Sequence, residues 1–145
     1  PGAAGFSILD KNIPKLQKKL LNYFSIKLLN YSAQKSIVID AKMELAAFNL
    51  KNIKLVKSLA PFGIGNPEPL FLIENLTIES KKILGKNQDH LKLKLSGVDA
   101  IAFKKGDMDQ DLTIGETVNV VASLDLNLWN GHTFPQLVVK EIIKQ

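Results

Sequence analysis

Residues 117–143 read TVNVVASLDLNLWNGHTFPQLVVKEII, and the period of two in this run decides the fold. Val118, Val120, Ala122, Leu124, Leu126 and Leu128 fall on one side of an extended chain, because strand side chains alternate between faces. Asn130-Gly131 then marks a two-residue hairpin, since a type I′ turn needs positive φ at both central positions. The chain returns through Phe134 to Ile143. Upstream, HLKLKLS (residues 90–96) sets Leu91, Leu93 and Leu95 against His90, Lys92, Lys94 and Ser96. VDAIAF (98–103) continues after Gly97, and FLIENLTI (71–78) precedes them.

Five strands thus fall in the last 75 residues, separated by short turns and one polar connection between the third and fourth. The expected fold class is α+β, with a short helical and strand segment followed by a five-stranded antiparallel β-barrel of the OB type. An SH3-like barrel is the competing β fold. The long run to Trp129 favours the OB type, whose strands are long and coiled.

The first part of the chain has a different period. Ile13, Leu16, Leu20, Phe24 and Leu28 recur close to every 3.6 residues, which predicts a helix over 13–30 with Pro14 in its first turn. SIVID (36–40) is β-branched and predicts a buried strand. Residues 51–59 predict a second helix with Ile53, Val56 and Leu59 on one side. Pro61 stops it. LAPFGIGNPEPLF (59–71) holds three prolines and two glycines, interleaved with Phe62, Ile64, Leu70 and Phe71. A flexible linker would be rich in Gly and Ser without such bulky residues. The stretch therefore reads as a rigid corner packed by its own side chains. The boundary is expected there, with residues 1–58 in one part and 59–145 in the barrel.

Composition narrows the function classes. The 145 residues are 46% hydrophobic and 23% charged, as in a globular domain. There is no cysteine, so disulfides and thiolate metal sites are excluded. No apolar run is long enough for a membrane span. The start, PGAAGFSILD, lacks the pattern of a signal peptide and an initiator Met, so the chain is expected to be part of a longer protein, in the cytoplasm. Net charge is +5, and all 19 basic residues are lysine. Such an excess favours a polyanionic partner, through phosphate neutralisation.

Asp107, Asp109 and Asp111 imitate the opening of a calcium-binding loop. The match fails at the sixth position, Leu112 in place of Gly, and at the twelfth, Val118 in place of Glu. They read as a solvated connection. His90 and His132 are the only histidines. They sit in different hairpins with no carboxylates at ligand spacing, so no metal site and no catalytic constellation is expected. An oligonucleotide surface has better support. OB barrels bind nucleic acid on their second and third strands and on the loops joining strands one to two and four to five. Here the first of those loops is expected to hold Lys81, Lys82 and Lys86. The second strand turns Lys92 and Lys94, with His90, away from its leucines. The last hairpin carries Trp129, Asn130 and His132, with Trp129 pointing away from the leucine row. Lysines track phosphates and rings stack on bases, which is what single-strand binding needs. The competing view makes Trp129 a cap on the barrel end and the lysines solubilising.

LAPFGIGNPEP, HLKLKL, AIAF and NLWNG…PQLVVKEI together resemble the C-terminal part of the bacterial RecJ family of single-strand-specific DNA exonucleases. The opening PGAAGF resembles the tail of the Gly-Gly-His-x-x-Ala-Ala-Gly motif in the DHH-associated domain of DHH phosphoesterases. On that resemblance Gly2, Ala3, Ala4 and Gly5 are the remnant of a phosphate-contacting motif, and residues 1–58 are the end of that domain with its connecting helices. The resemblance implies 5′-to-3′ exonuclease action in DNA recombination and repair. It implies Mn or Mg held by aspartates and histidines of a catalytic domain that this chain does not include, and no cofactor in the chain itself. The chain would then grip single-stranded DNA as a monomer without cutting it. The alternative is a protein-interaction module that docks a repair helicase or single-strand-binding protein. ELAAFNLKN (44–52) is more apolar than the family pattern suggests.

Overall fold

In the computed structural model, residues 5–28 and 36–145 are described. Gly2, Ala3 and Ala4 of the motif remnant lie outside them, and Gly5 alone falls within. The chain divides into two compact units, residues 1–37 and Val38–Gln145. In the first, a short 3-10 turn at Asp10–Asn12 leads into α1, Ile13–Leu28. The apolar spacing of residues 13–28 therefore reads correctly as a helix. Tyr23 and Phe24 meet edge to face, with ring centroids 5.7 Å apart.

The second unit holds β1 (Ala41–Lys42), a 3-10 turn at Leu45–Ala47, α2 (Leu50–Lys57), β2 (Phe71–Leu84), β3 (His90–Leu95), β4 (Val98–Ala102), a 3-10 segment at Gly106–Asp111, β5 (Thr117–Trp129) and β6 (His132–Lys144). It is a mixed α+β arrangement. The six strands run in the order β1-β2-β3-β4-β6-β5, and a further β2–β5 pairing closes the hydrogen bonding into a ring. Pairing is not purely antiparallel as expected. The β1–β2 and β4–β6 pairs are parallel. The second follows because residues 103–116 separate β4 from β5, so that β6, and not the next strand in sequence, completes β4's edge.

The strand expected at 36–40 forms instead at Ala41–Lys42. Asp40 explains the shift. Its backbone N–H donates to Leu70 O (2.9 Å) and its carboxylate accepts the Leu70 N–H (2.8 Å), which sets the register one residue before pairing begins. Val38 is 77% exposed, so SIVID is not a buried strand. α2 starts at an N-cap, Asn49, whose side chain accepts the Asn52 N–H at 3.0 Å. It buries Ile53 completely and packs against β5.

Of the corner's expected apolar anchors, Phe62, Leu70 and Phe71 are half-buried, Phe71 against the core, whereas Ile64 is not buried at all. Ile64 is fully exposed at the tip of a tight turn, where Gly63 and Asn66 exchange two backbone hydrogen bonds (2.8 and 3.1 Å). The Asn66 amide donates to Leu59 O and to Pro61 O, both at 2.9 Å. One side chain thus pins the corner through polar contacts. Gly65 has φ +88°, which explains that glycine.

β2 is longer than FLIENLTI. It continues through ESKKIL because register shifts at residues 73–76 and 78–80 let its first half pair with β5 and its second with β3. One strand therefore serves two neighbours and closes the ring. The interior is the apolar row of each strand: Ile73, Leu76 and Ile78; Leu91, Leu93 and Leu95; Ala100 and Ala102; Val118 to Leu124 at alternate positions; Leu137, Val139 and Ile142. Burial of these side chains, each contributing roughly 1.5–3 kcal/mol for the larger ones, dominates the stability of the unit. The row predicted along β5 is buried to Leu124 and then emerges, so that Leu128 is 69% exposed on the protruding hairpin. The turn itself is as predicted, with Asn130 at φ 48° and Gly131 at φ 77°.

Candidate nucleic-acid interface

Register places the outward-facing side chains in columns. Lys82 lies opposite Lys92, and Leu84 opposite His90, across β2–β3. Lys92 is beside Ile101 and Lys94 beside Asp99 across β3–β4. Asp99 neighbours Gln136 across the parallel β4–β6 pair. Along the last hairpin Trp129 faces His132, Asn127 faces Phe134, and Asp125 faces Gln136. These columns border a groove of about 580 Å³ lined by Leu84, His90, Lys92, Asp99, Ile101 and Phe103, with Asn127, Trp129, Phe134 and Gln136 on the hairpin side. Trp129 is 67% exposed, Phe103 55% and Phe134 45%. Three ring faces are therefore open to a ligand.

The groove brings together His90, Lys92 and Trp129 of the residues singled out in the sequence. Asn130 and His132 sit at the hairpin tip beyond it, with the His132 ring 6.3 Å from Phe134. Lys86 lies in the β2–β3 turn and Lys82 on β2, both exposed. Lys81 and Lys82 are strand residues, not loop residues, because β2 extends past them. The extension turns Lys81 to the face of Leu93, where its Nζ donates to Asp109 O at 2.5 Å and lies 3.4 Å from the Asp109 carboxylate. Lys81 therefore clamps the 3-10 segment and does not reach the groove. Lys94 is paired with Asp99 at 3.3 Å. Phe103, Phe134, Asn127 and Gln136 were missed. In AIAF the inward alanines Ala100 and Ala102 leave Ile101 and Phe103 outward, so alternation alone marks Phe103. Phe134 follows in the same way from its position opposite Asn127.

Ion pairs remove six of the unit's thirteen lysines from the count of free charges. Lys42 pairs with Glu74, Lys57 with Glu68 and Asp125, Lys105 with Glu141, and Lys144 with Glu116. Lys82, Lys86 and Lys92 have no such partner among the described residues. Lys82 and Lys92 directly face each other across two strands, an arrangement of like charges that costs stability. An anion bound between them would relieve that cost.

His90 is held by three contacts, one of them between its Nδ1 and the Asp89 carboxylate 3.5 Å away. The Lys104 N–H donates to its Nδ1 at 3.2 Å, and its ring meets Phe103 edge to face at 5.2 Å. Lys57, 3.0 Å from both Glu68 and Asp125, ties the corner and α2 to the strand that forms the groove's far wall. Burial alone would lower its pKa. The hydrogen bonds to Asp125 and Glu68, with their charges, outweigh burial and hold the ammonium above its ordinary value. Among the described residues no three His, Asp or Glu side chains stand close enough together to hold a metal ion. No helix among them is long and apolar enough to cross a membrane.

A closed mixed sheet of this kind, with its groove on β2–β4 and the last hairpin, is that of an OB-type domain. The model of the RecJ OB domain matches residues 39–141, and the chain belongs to that family. It is 27% identical to the single-stranded-DNA-specific exonuclease RecJ of Bacillus subtilis (strain 168), over 97% of this chain and 18% of that protein. Identity is 31% to the RecJ of Thermus thermophilus, over 90% of this chain and 18% of that one. It is 32% to the RecJ of Haemophilus influenzae, over 97% and 25%. The chain thus spans a quarter or less of these relatives. Crystal structures of Thermus thermophilus RecJ in complex with Mn²⁺ and with Mg²⁺ superpose with TM-scores of 0.69 at 26% identity, covering 97% of this chain and 20% and 21% of theirs. Among the described residues no donor set fits such a metal.

Proposed function

We propose that the chain is the single-stranded-DNA-gripping region of a RecJ-like 5′-to-3′ exonuclease acting in recombination and repair, and that its closed sheet works as an OB barrel. In this reading residues 1–58 belong with the DHH-associated domain, where Gly2 to Gly5 would contact phosphate, and residues 59–145 hold the strand. The catalytic metals, Mn or Mg, belong to the rest of such a protein. The chain itself acts as a monomer in the cytoplasm, needs no cofactor and cuts nothing.

One observation carries the reading: the three open rings, Trp129, Phe103 and Phe134, share a groove with Lys92, next to the unpaired Lys82. Rings stack on bases and lysines neutralise phosphates. The proline corner, pinned by Asn66 and tied down through Lys57, holds this surface at a fixed angle. Titration of the chain with a short oligonucleotide at several salt concentrations tests it. Three unpaired lysines at about 0.7 counterions each predict a slope of roughly −2 in log K against log salt. A salt-independent affinity, or none at low salt, would refute it.

A second reading, a docking module for a repair helicase or single-strand-binding protein, is favoured by the apolar side chains that α2 and the corner leave exposed: Leu55 60%, Leu59 58% and Ile64 111%. Docking through these would be nearly insensitive to salt and would survive loss of Trp129.

A further inference from the structure

We infer that the floor of the groove reads an amino-bearing base, purine before cytosine, while the phosphates of the strand run along the lysine rim; this rests on the single-strand reading above. The floor carries a carboxylate. Asp99 lines the groove and is 38% exposed at its side chain. Its Oδ1 is 3.3 Å from Lys94 Nζ, and Oδ2 has no partner among the described residues. A phosphate placed there would be repelled. The carboxylate therefore divides the surface, with bases inward and backbone outward toward Lys82, Lys86 and Lys92.

A carboxylate is an acceptor only. The 6-amino group of adenine, the 4-amino group of cytosine, and the 2-amino group and N1–H of guanine can donate to it, whereas thymine offers only its N3–H, flanked by two carbonyl oxygens. Two further polar groups border the same space. Gln136 is the register neighbour of Asp99, and Asn127 lies opposite Phe134. Neither amide has a hydrogen-bond partner among the described residues. Each can donate to a ring nitrogen and accept from an amine, the pairing that Asn and Gln make with adenine. The volume, about 580 Å³, is in the range of small-ligand sites. A purine covers more of the Trp129, Phe103 or Phe134 ring than a pyrimidine does, which puts the amino-bearing purines first.

The test keeps strand context constant. Thymine oligonucleotides carrying spaced adenines are compared with the same strands carrying unsubstituted purine, which lacks the amino group, and with thymine alone. Trp129 is the only tryptophan, so quenching of its fluorescence reports occupancy of the groove. Adenine strands are expected to bind about five- to tenfold tighter than purine or thymine strands. Asp99→Ala is expected to bring that ratio to within about twofold, whatever it does to total affinity by freeing Lys94, and Gln136→Ala to reduce it in part. Equal affinity for adenine and purine strands, with salt-sensitive binding intact, overturns base reading and leaves the single-strand reading standing. No binding of any strand at low salt overturns both.

Discussion

Replacing Trp129 with alanine separates a ring that stacks on a base from one that caps the hairpin. A tryptophan presents up to about 250 Å² of surface. At 67% exposure, one-third of it, about 80 Å², is already covered by the protein. At about 25 cal/mol per Å² that cover contributes at most about 2 kcal/mol to folding. One face of the ring remains open, and a base laid on it would cover a similar area. The same coefficient gives about 2 kcal/mol for binding, inside the range of roughly 1–3 measured for base stacking. Trp129→Ala should therefore weaken oligonucleotide binding by about 30-fold. It should leave the salt slope nearly unchanged, because stacking releases few counterions. Anisotropy of a labelled oligonucleotide at several salt concentrations measures both. A parallel thermal melt reports the fold. An unchanged affinity in a folded protein with a lowered melting temperature would show that the ring is a structural cap, and the stacking argument would fail.

Lys82→Ala and Lys92→Ala should each flatten the salt slope by about 0.7, whereas Lys81→Ala should leave it alone and lower stability, since Lys81 is spent on Asp109; denaturant midpoints and salt titrations separate the two effects. Gly106→Ala should destabilise by roughly 1–3 kcal/mol or more, because a Cβ there would stand 2.2 Å from the backbone oxygen of Gln88; a wild-type denaturant midpoint would contradict the close approach of that segment to the β2–β3 turn. Stability should fall at both ends of the pH scale for identifiable reasons. The Glu116 pKa is lowered by the Thr113 N–H first and by Lys144, so its contribution is complete above the ordinary value of 4.5 and lost as pH falls through the lower folded value. The Lys57 pKa is raised, so its contribution is complete below 10.5 and lost as pH rises through the folded value. Glu116→Gln should flatten the acid limb of a urea-midpoint profile and Lys57→Met the alkaline limb. Finally, the chain alone should not degrade single-stranded DNA in Mn²⁺, since its described residues include no cluster able to hold the metals such hydrolysis uses; metal-dependent cleavage that co-purifies with it would overturn this.

The sheet was legible where one rule governs. Alternation in HLKLKL and in residues 117–129, and the Asn-Gly turn, each have one physical solution, and each appears as expected. Reading failed where two rules compete. In β2 the register shifts reset the alternation, so that Lys81 and Lys82 point to opposite faces of a strand that a uniform pattern would have ended at Ile78. The parallel β4–β6 pair depends on what a connection of no regular pattern leaves uncovered, which no local period encodes. The corner's order was inferred from its apolar residues. Phe62, Leu70 and Phe71 are indeed half-buried, but Ile64 is exposed, and Asn66 adds polar contacts whose choice among several carbonyls depends on the folded path. The aromatic half of the groove was within reach: Phe103 and Phe134 obey the same alternation that gave Trp129.

Charge shows why counting residues locates a binding surface less well than pairing does. The +5 balance suggested a polyanion but pointed nowhere on the surface. Pairing within the second unit assigns Lys42, Lys57, Lys81, Lys94, Lys105 and Lys144 to carboxylates of the same unit. Surface pairs of this kind add little stability, typically below about 1 kcal/mol each, but they cancel the local field. The face of β2 and β3 is different. There Lys82 and Lys92 oppose each other at directly paired positions, with Lys86 in the turn beyond and no carboxylate between them. Strand pairing selects against like charges in register, so their persistence without a counter-charge needs another cause. A phosphate chain passing between them supplies it, and it places the backbone on the one side of the groove that Asp99 does not occupy.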